Sequence, residues 1–267
     1  MNETPARPVR AAGAAASASS DIVGVLGGMG PLASLDFMRK MLDATPARQD
    51  QDHVPVLLSS IPQVPDRTQA FRGEGHSPLP AMLASARRLA EAGAGLLVMP
   101  CNTAHLWYEP LQQALGLPML HLVDAALEDA LALAGPGARI GLLATDATMA
   151  SGLYLNRPAS ARLQWLLPTA TEMLDWVMPG IAAVKAGQLA EGEALLGRAA
   201  AALAQRGAAA LVLGCTEIPL VLDAGRAPLP VVDATAALAR RAVDWSLSRR
   251  PAQAPPPSPP SPPVAPQ

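Results

Sequence analysis

Cys101 and Cys215 are the only thiols in the chain. Each follows a short apolar run, Gly95-Leu-Leu-Val-Met-Pro before the first and Ala210-Leu-Val-Leu-Gly before the second. Their spacing makes neither a disulfide framework nor a metal-binding pair. A free cysteine taken alone is usually a small buried hydrophobe. The polar residues beside these two change the reading: Asn102-Thr103 follow Cys101, and Thr216-Glu217 follow Cys215. Hydroxyl, amide and backbone N–H groups just past a strand can hold a carboxylate. A thiolate on one side of a Cα and a thiol on the other can take a proton from one face and return one to the other. Inversion at that carbon needs this arrangement, because one side chain does not reach both faces. No lysine lies in a motif that announces a pyridoxal cofactor.

Parallel strands would place the thiols. Apolar runs predict strands at Ile22–Leu26, Val54–Ser59, Gly95–Met99, Met119–Leu122, Ile140–Ala144, Leu163–Leu167, Ala210–Leu213 and Val231–Val232. Helical periodicity predicts helices over Leu32–Asp43, Pro78–Ala92, Glu109–Leu115, Asp124–Ala134, Thr171–Ala186, Ala190–Arg206 and Ala234–Ser248. Continuous apolar strands alternating with amphipathic helices imply an α/β fold with parallel sheets covered on both faces.

The chain also repeats itself. Ala90-Glu-Ala-Gly-Ala-Gly-Leu-Leu-Val-Met-Pro-Cys101 matches Ala204-Gln-Arg-Gly-Ala-Ala-Ala-Leu-Val-Leu-Gly-Cys215, cysteine on cysteine. Gly24-Val-Leu aligns with Gly141-Leu-Leu, Ala33-Ser34 with Ala150-Ser151, and Leu122-Val-Asp124 with Val231-Val-Asp233. The last pair puts Asp124 and Asp233 at matching helix N-caps. Two pseudo-symmetric Rossmann-like halves are expected, residues 21–136 and 137–248, flanked by a disordered arm (1–20) and a disordered Pro-rich tail (249–267). Ligands of parallel α/β sheets bind beyond the carboxyl ends of the strands. The thiols should therefore face each other across a cleft between the halves.

Five segments carry a family resemblance: Gly27-Gly-Met-Gly-Pro-Leu-Ala-Ser34, Pro62-Gln-Val-Pro-Asp-Arg-Thr68, Met99-Pro-Cys-Asn-Thr-Ala-His105, Val184-Lys-Ala-Gly187 and Gly214-Cys-Thr-Glu-Ile-Pro219. Together, from about Ile22 to Trp245, the chain resembles the aspartate/glutamate racemase family, nearest its aspartate branch. The resemblance implies a cofactor-independent two-base mechanism with Cys101 and Cys215 as the pair. It casts Asn102, Thr103 and Thr216 as holders of the α-carboxylate and amine. Arg67 and Lys185 become the cations for a side-chain carboxylate, which an arginine fork can grip in bidentate fashion. It also implies a homodimer. Glutamate, a broader amino-acid range and maleate isomerisation are the neighbouring activities. A non-catalytic amino-acid-binding protein is the alternative from another class. Ser59-Ser60-Ile61 and Met173 depart from the aspartate pattern and bear on the substrate more than on the chemistry.

Several features have competing readings. Gly28-Met29-Gly30-Pro31-Leu32-Ala33 fits the dinucleotide fingerprint after a strand. Pro31, however, removes an N–H that a pyrophosphate would need, and Ser59-Ser60 supply no carboxylate for a ribose. A tight turn bringing Gly28, Met29 and Gly30 close to a small substrate fits better. Lys185, before Gly187, is equally a helix-end cation. Glu217 either bonds near Cys215 or caps a helix. His105 is a helper of Cys101 or a helix-start residue, and His53, His76 and His121 have no metal-ligand spacing. With a net charge of −2 and only 3% aromatic residues, the chain lacks a basic, aromatic-interleaved nucleic-acid surface. It also lacks a membrane-length apolar run and a Leu-rich secretory signal. A cytoplasmic enzyme acting on a small molecule is expected.

Overall fold

The computed structural model describes residues 20–250. The amino-terminal arm and the Pro-rich tail lie outside these residues, apart from Ser20, Arg249 and Arg250. Two parallel sheets form the frame. The first joins β1 (Val23–Gly27), β2 (Val56–Ser60) and β3 (Leu96–Val98) in the order β2-β1-β3. The second joins β4 (Arg139–Ala144), β5 (Gln164–Leu166), β6 (Ala210–Gly214) and β7 (Val231–Asp233) in the order β5-β4-β6-β7. Every residue of β1, β3 and β6 is buried, as strands covered on both faces must be.

The strand expected at Met119–Leu122 shrinks to a single bridge between Met119 and Leu97. Leu122 already opens a helix. This bridge mirrors the pairing of Val231 with Leu211 in the second sheet. The sheets therefore share one strand order, and the sequence repeat is a structural one. The bridge also corrects the last aligned pair. The helix after Met119 has His121 as its N-cap, while the helix after β7 has Asp233. Asp124 is thus no cap: it lies in the first helical turn and bonds Arg157.

The helices are α1 (Pro31–Ala44), α2 (Arg67–Arg72), α3 (Leu79–Glu91), α4 (Tyr108–Leu115), α5 (Leu122–Ala134), α6 (Asp146–Ala150), α7 (Ala170–Glu172), α8 (Met178–Lys185), α9 (Leu189–Gln205) and α10 (Ala234–Leu247). The helix expected over Thr171–Ala186 is interrupted by a π-turn at Met173–Val177. Three apolar layers result. Helices α3 and α4 cover the first sheet with Met82, Leu89 and Leu111. Helices α8 and α9 cover the second with Ile181, Leu196 and Leu203. Between them runs one shared core, built from Val25, Val98, Leu142 and Val212 of the two sheets with Leu127 of α5 and Leu238 of α10. Among the described residues no helix is long and apolar enough to cross a membrane.

Candidate active site

The carboxyl ends of β1, β3, β4 and β6 converge on one place. Gly28, directly after β1, has φ +87°, and a Cβ there would stand 2.4 Å from the backbone nitrogen of Ile61. Only glycine tolerates both conditions. The Gly28 N–H donates to Ser34 Oγ at 2.8 Å, so the expected tight turn folds onto the first turn of α1. Ile61 serves that turn through its backbone.

Two connected spaces lie at the convergence. The inner chamber, about 20 Å³, holds little more than one water. The first half supplies Met29, Arg67, Cys101, Asn102 and Thr103 to its wall, and the second supplies Lys185, Cys215, Thr216 and Glu217. The outer chamber, about 480 Å³, opens beyond it between Gly28, Gly30, Leu32, Val64, Val184 and Leu220. Asp66, Arg67, Lys185 and Glu217 border both spaces and form the partition. Cys101, Cys215, Arg67, Asn102, Thr103, Lys185, Thr216, Gly28, Met29, Gly30 and Glu217 therefore each lie on one chamber or the other, whereas His105 borders neither. Ser59, Ser60 and Met173 border neither chamber. Met173 instead packs against the apolar layer under α8 and α9.

Both thiols are buried, Cys101 6% and Cys215 5% exposed, and unlinked. Their surroundings differ. Cys215 Sγ donates to Glu217 Oε2 at 3.1 Å, and Thr216 Oγ1 donates to the same oxygen at 3.2 Å. Burial, and next the Glu217 carboxylate, push the Cys215 thiol well above its ordinary range, with Lys185 pulling the other way. Glu217 thus stands at the N-cap position of the short 3-10 turn Ile218–Leu220 but gives its carboxylate to the thiol and not to that turn. Lys185 ends α8. Burial lowers its pKa, but negative charge on Cys215, Glu217 and Cys101 outweighs that and holds the ammonium above its usual value.

Behind Cys101 stands His105. Its Nδ1–H donates to the Cys101 carbonyl at 2.8 Å, and its Nε2 accepts from the Leu122 N–H at 3.1 Å. That pair of bonds selects one neutral tautomer. Burial, then the neighbouring His121, hold this imidazole at a pKa of about 3. His105 accordingly braces the backbone of Cys101 and carries no proton into the site at neutral pH.

Arg67 is the first residue of α2, set there by the Asp66 N-cap, whose carboxylate accepts from the Gln69 N–H. One guanidinium nitrogen donates to the Val64 and Pro65 carbonyls, both at 3.1 Å. Its Nε is buried with no partner, and so is Asn102 Nδ2. Buried donors normally find acceptors, so two orphans on one chamber mark where an acceptor-rich ligand belongs. Three residues escaped the sequence reading. Thr145, after β4, caps α6 and joins Thr148 and Thr103 in a hydroxyl cluster with distances of 2.9–3.0 Å. Tyr154 bonds Asn102. Thr145 had a signal: it follows Gly141 as Gly28 follows Gly24. Tyr154 had none.

Comparison with known proteins gives this arrangement a family. The model of the Asp/Glu/hydantoin racemase family matches residues 26–242. The broad specificity amino-acid racemase RacX of Bacillus subtilis is 28% identical over 225 residues, covering 82% of this chain and 96% of that one. A glutamate racemase of Deinococcus radiodurans is 33% identical over 167 residues, 58% of this chain and 56% of that one. Among solved structures, the aspartate racemase of Picrophilus torridus superposes with a TM-score of 0.76 at 30% identity, covering 84% of this chain and 94% of that one. The chain belongs to the Asp/Glu/hydantoin racemase family and is an isomerase, an amino-acid racemase.

Proposed function

We propose that this racemase interconverts the enantiomers of an acidic amino acid, aspartate first, with Cys101 and Cys215 as opposed acid–base groups and no cofactor. The observation that carries the reading is the shared chamber, which must widen to seat an amino acid: two buried thiols from the two halves, with the unpartnered Arg67 Nε and Asn102 Nδ2 beside them. In one direction the Cys101 thiolate takes the α-proton and becomes a thiol, leaving the electron pair on Cα. Cys215, whose proton is held by burial and Glu217, delivers it to the opposite face and becomes the thiolate. The return direction exchanges the roles. Donors preset around the substrate carboxylate stabilise the charge that spreads from Cα. Asn102 and Thr103 supply those donors, and Thr216, whose hydroxyl proton goes to Glu217, offers its oxygen to the substrate amine. Arg67 and Lys185, on the partition, hold the side-chain carboxylate. Gly28, Met29 and Gly30 provide the turn that closes the first-half wall.

An acidic side chain fits the charge arrangement. Asp66 is committed to capping α2 and Glu217 to Cys215, whereas the Arg67 Nε has no partner. The relative from Picrophilus torridus is named for aspartate. A second reading, racemisation of glutamate or a wider range, draws on the outer chamber of about 480 Å³, whose apolar walls have room for a longer side chain. Two free thiols suit a reducing compartment, and a cytoplasmic homodimer completes the proposal.

Proton NMR of the purified protein in D₂O with L-aspartate, and in parallel with L-glutamate, tests it. Loss of the α-proton signal with appearance of the D-enantiomer is the expected result, without added cofactor. Cys101→Ser and Cys215→Ser should each lower turnover by about a hundred- to ten-thousand-fold, the span of general acid–base catalysis. Each should retain α-proton exchange on one enantiomer only, because one base remains. Normal turnover in either variant would sink the two-thiol assignment.

A further inference from the structure

We infer that Tyr154, which lies outside the chamber wall, is a positioning residue: it orients the Asn102 amide so that Nδ2, not Oδ1, faces the substrate carboxylate. The inference rests on the reading of Asn102 as a substrate donor. An asparagine amide has two faces of opposite character, a donor and an acceptor. Only the donor favours a carboxylate. Asn102 is 2% exposed, and its Oδ1 accepts from the Tyr154 hydroxyl at 2.6 Å. Its Nδ2 is left buried without a partner.

The phenol imposes this choice because it must place its proton. Tyr154 is wholly buried. Burial, then charge on Asp233 and Cys215, raise its pKa, so the O–H persists. Were Asn102 turned over, its amide would donate to the phenol oxygen, and the phenol proton would lose its acceptor in a dry interior. Leaving a buried donor unmade is unfavourable. The ring itself is fixed by Trp165, edge to face at 6.1 Å, and Trp165 Nε1 donates to Ser160 Oγ at 2.6 Å. Asn102 belongs to the first half and Tyr154 to the second. The grip on the substrate is therefore set only when the halves are docked.

The test is a double-mutant cycle on L-aspartate racemisation, with kcat and KM measured for the wild type, Tyr154→Phe, Asn102→Ala and the double variant, and melting temperatures recorded beside them. Tyr154→Phe keeps the ring and its contact with Trp165. It should raise KM about tenfold with a smaller change in kcat, the scale of one misdirected hydrogen bond. Asn102→Ala should raise KM at least as much. The double variant should match Asn102→Ala, because Tyr154 acts through that amide. Asn102→Asp, which keeps an acceptor for Tyr154 but turns an oxygen on the substrate, should bind aspartate more weakly than Asn102→Ala. Losses that multiply in the double variant, or a Tyr154→Phe protein that melts earlier with KM unchanged, would overturn this inference alone. So would an Asn102→Asp variant with the wild-type KM. An Asn102→Ala variant with unchanged KM would overturn the donor reading of Asn102. An inactive wild type would overturn the proposed reaction, and this inference with it.

Discussion

The repeat makes the two thiols equivalent by position, and their neighbours make them unequal. Cys101 is braced through its carbonyl by His105, while Cys215 is bonded through its sulfur by Glu217. The proposed two-thiol reaction needs one thiol charged and one protonated at any instant, and under it Glu217 biases the resting molecule toward a protonated Cys215. Glu217→Gln tests this bias. Behind burial itself, the carboxylate is the next cause raising the Cys215 pKa, so removing its charge should move the Cys215 thiolate titration to lower pH. The ultraviolet absorbance of the thiolate, followed against pH in a Cys101→Ser background, reports the midpoint. Alkylation of Cys215 by iodoacetamide at neutral pH should quicken in step. A midpoint that stays or rises would remove Glu217 from the control of Cys215. At this scale the sequence was informative wherever chemistry and repeat coincided. Cys101, Asn102, Thr103, Cys215, Thr216 and Glu217 are contiguous with the strand ends that place them. Thr148 and Tyr154 come into play only through contacts across the halves, which no local pattern announces.

Among the elements, the long ones were legible and the short ones were not. Runs such as Leu96–Val98 and Ala210–Gly214 declare buried strands by composition, and α9 declares itself by period. Helices α2 and α6 have only six and five residues, too few for a period to show. They form because Asp66 and Thr145 cap them, and they matter because α2 carries Arg67 into the site. The π-turn before α8 is likewise invisible to periodicity, although it lies in the helical segment that ends at Lys185. Helix α8 is held by close contact with α9. A Cβ on Gly192 would stand 2.4 Å from Val184 Cγ2, and one on Gly180 2.8 Å from Leu196 Cγ. Gly197, on the same α9, has nothing within 4 Å of an added Cβ. One substitution should therefore have opposite signs at two positions of the same helix. Gly192→Ala should destabilise by about 1–3 kcal/mol through overpacking and lower kcat/KM by displacing Lys185. Gly197→Ala should stabilise by about 0.5–1 kcal/mol through helix propensity and leave kcat/KM alone. Thermal unfolding and steady-state kinetics on the two variants decide it, and equal effects would refute the account of the α8–α9 contact.

For the whole molecule, the decisive fact is that the halves share a third core besides the one that each owns. Strands β1 and β3 of the first sheet and β4 and β6 of the second bury their inner faces in one apolar cluster, together with α5 and α10. The sequence repeat suggested two halves facing each other across a cleft. It could not show that α10, the last helix among the described residues, packs back on α1 of the first half. Lys40 of α1 fastens that contact. It pairs with Asp36 on its own helix and with Asp233, the N-cap of α10, at 2.6 Å, and donates to Thr235 Oγ1 at 2.8 Å. Lys40 and Asp233 are only 17% and 18% exposed, so removing the cation strands two carboxylates in a partly dry site. Lys40→Ala should therefore destabilise by about 2 kcal/mol, below the 3–5 kcal/mol typical when a fully buried pair is broken. A shared core also dictates how the loss appears. Far-ultraviolet circular dichroism and tryptophan fluorescence should trace one coincident urea transition in the wild type, and the same single transition, moved to lower urea, in Lys40→Ala. Because both thiols depend on that docking, activity should disappear along the same curve. Two separated transitions in the variant, with only one half weakened, would mean that the halves are independent units and that the chamber between them is not maintained by the common core.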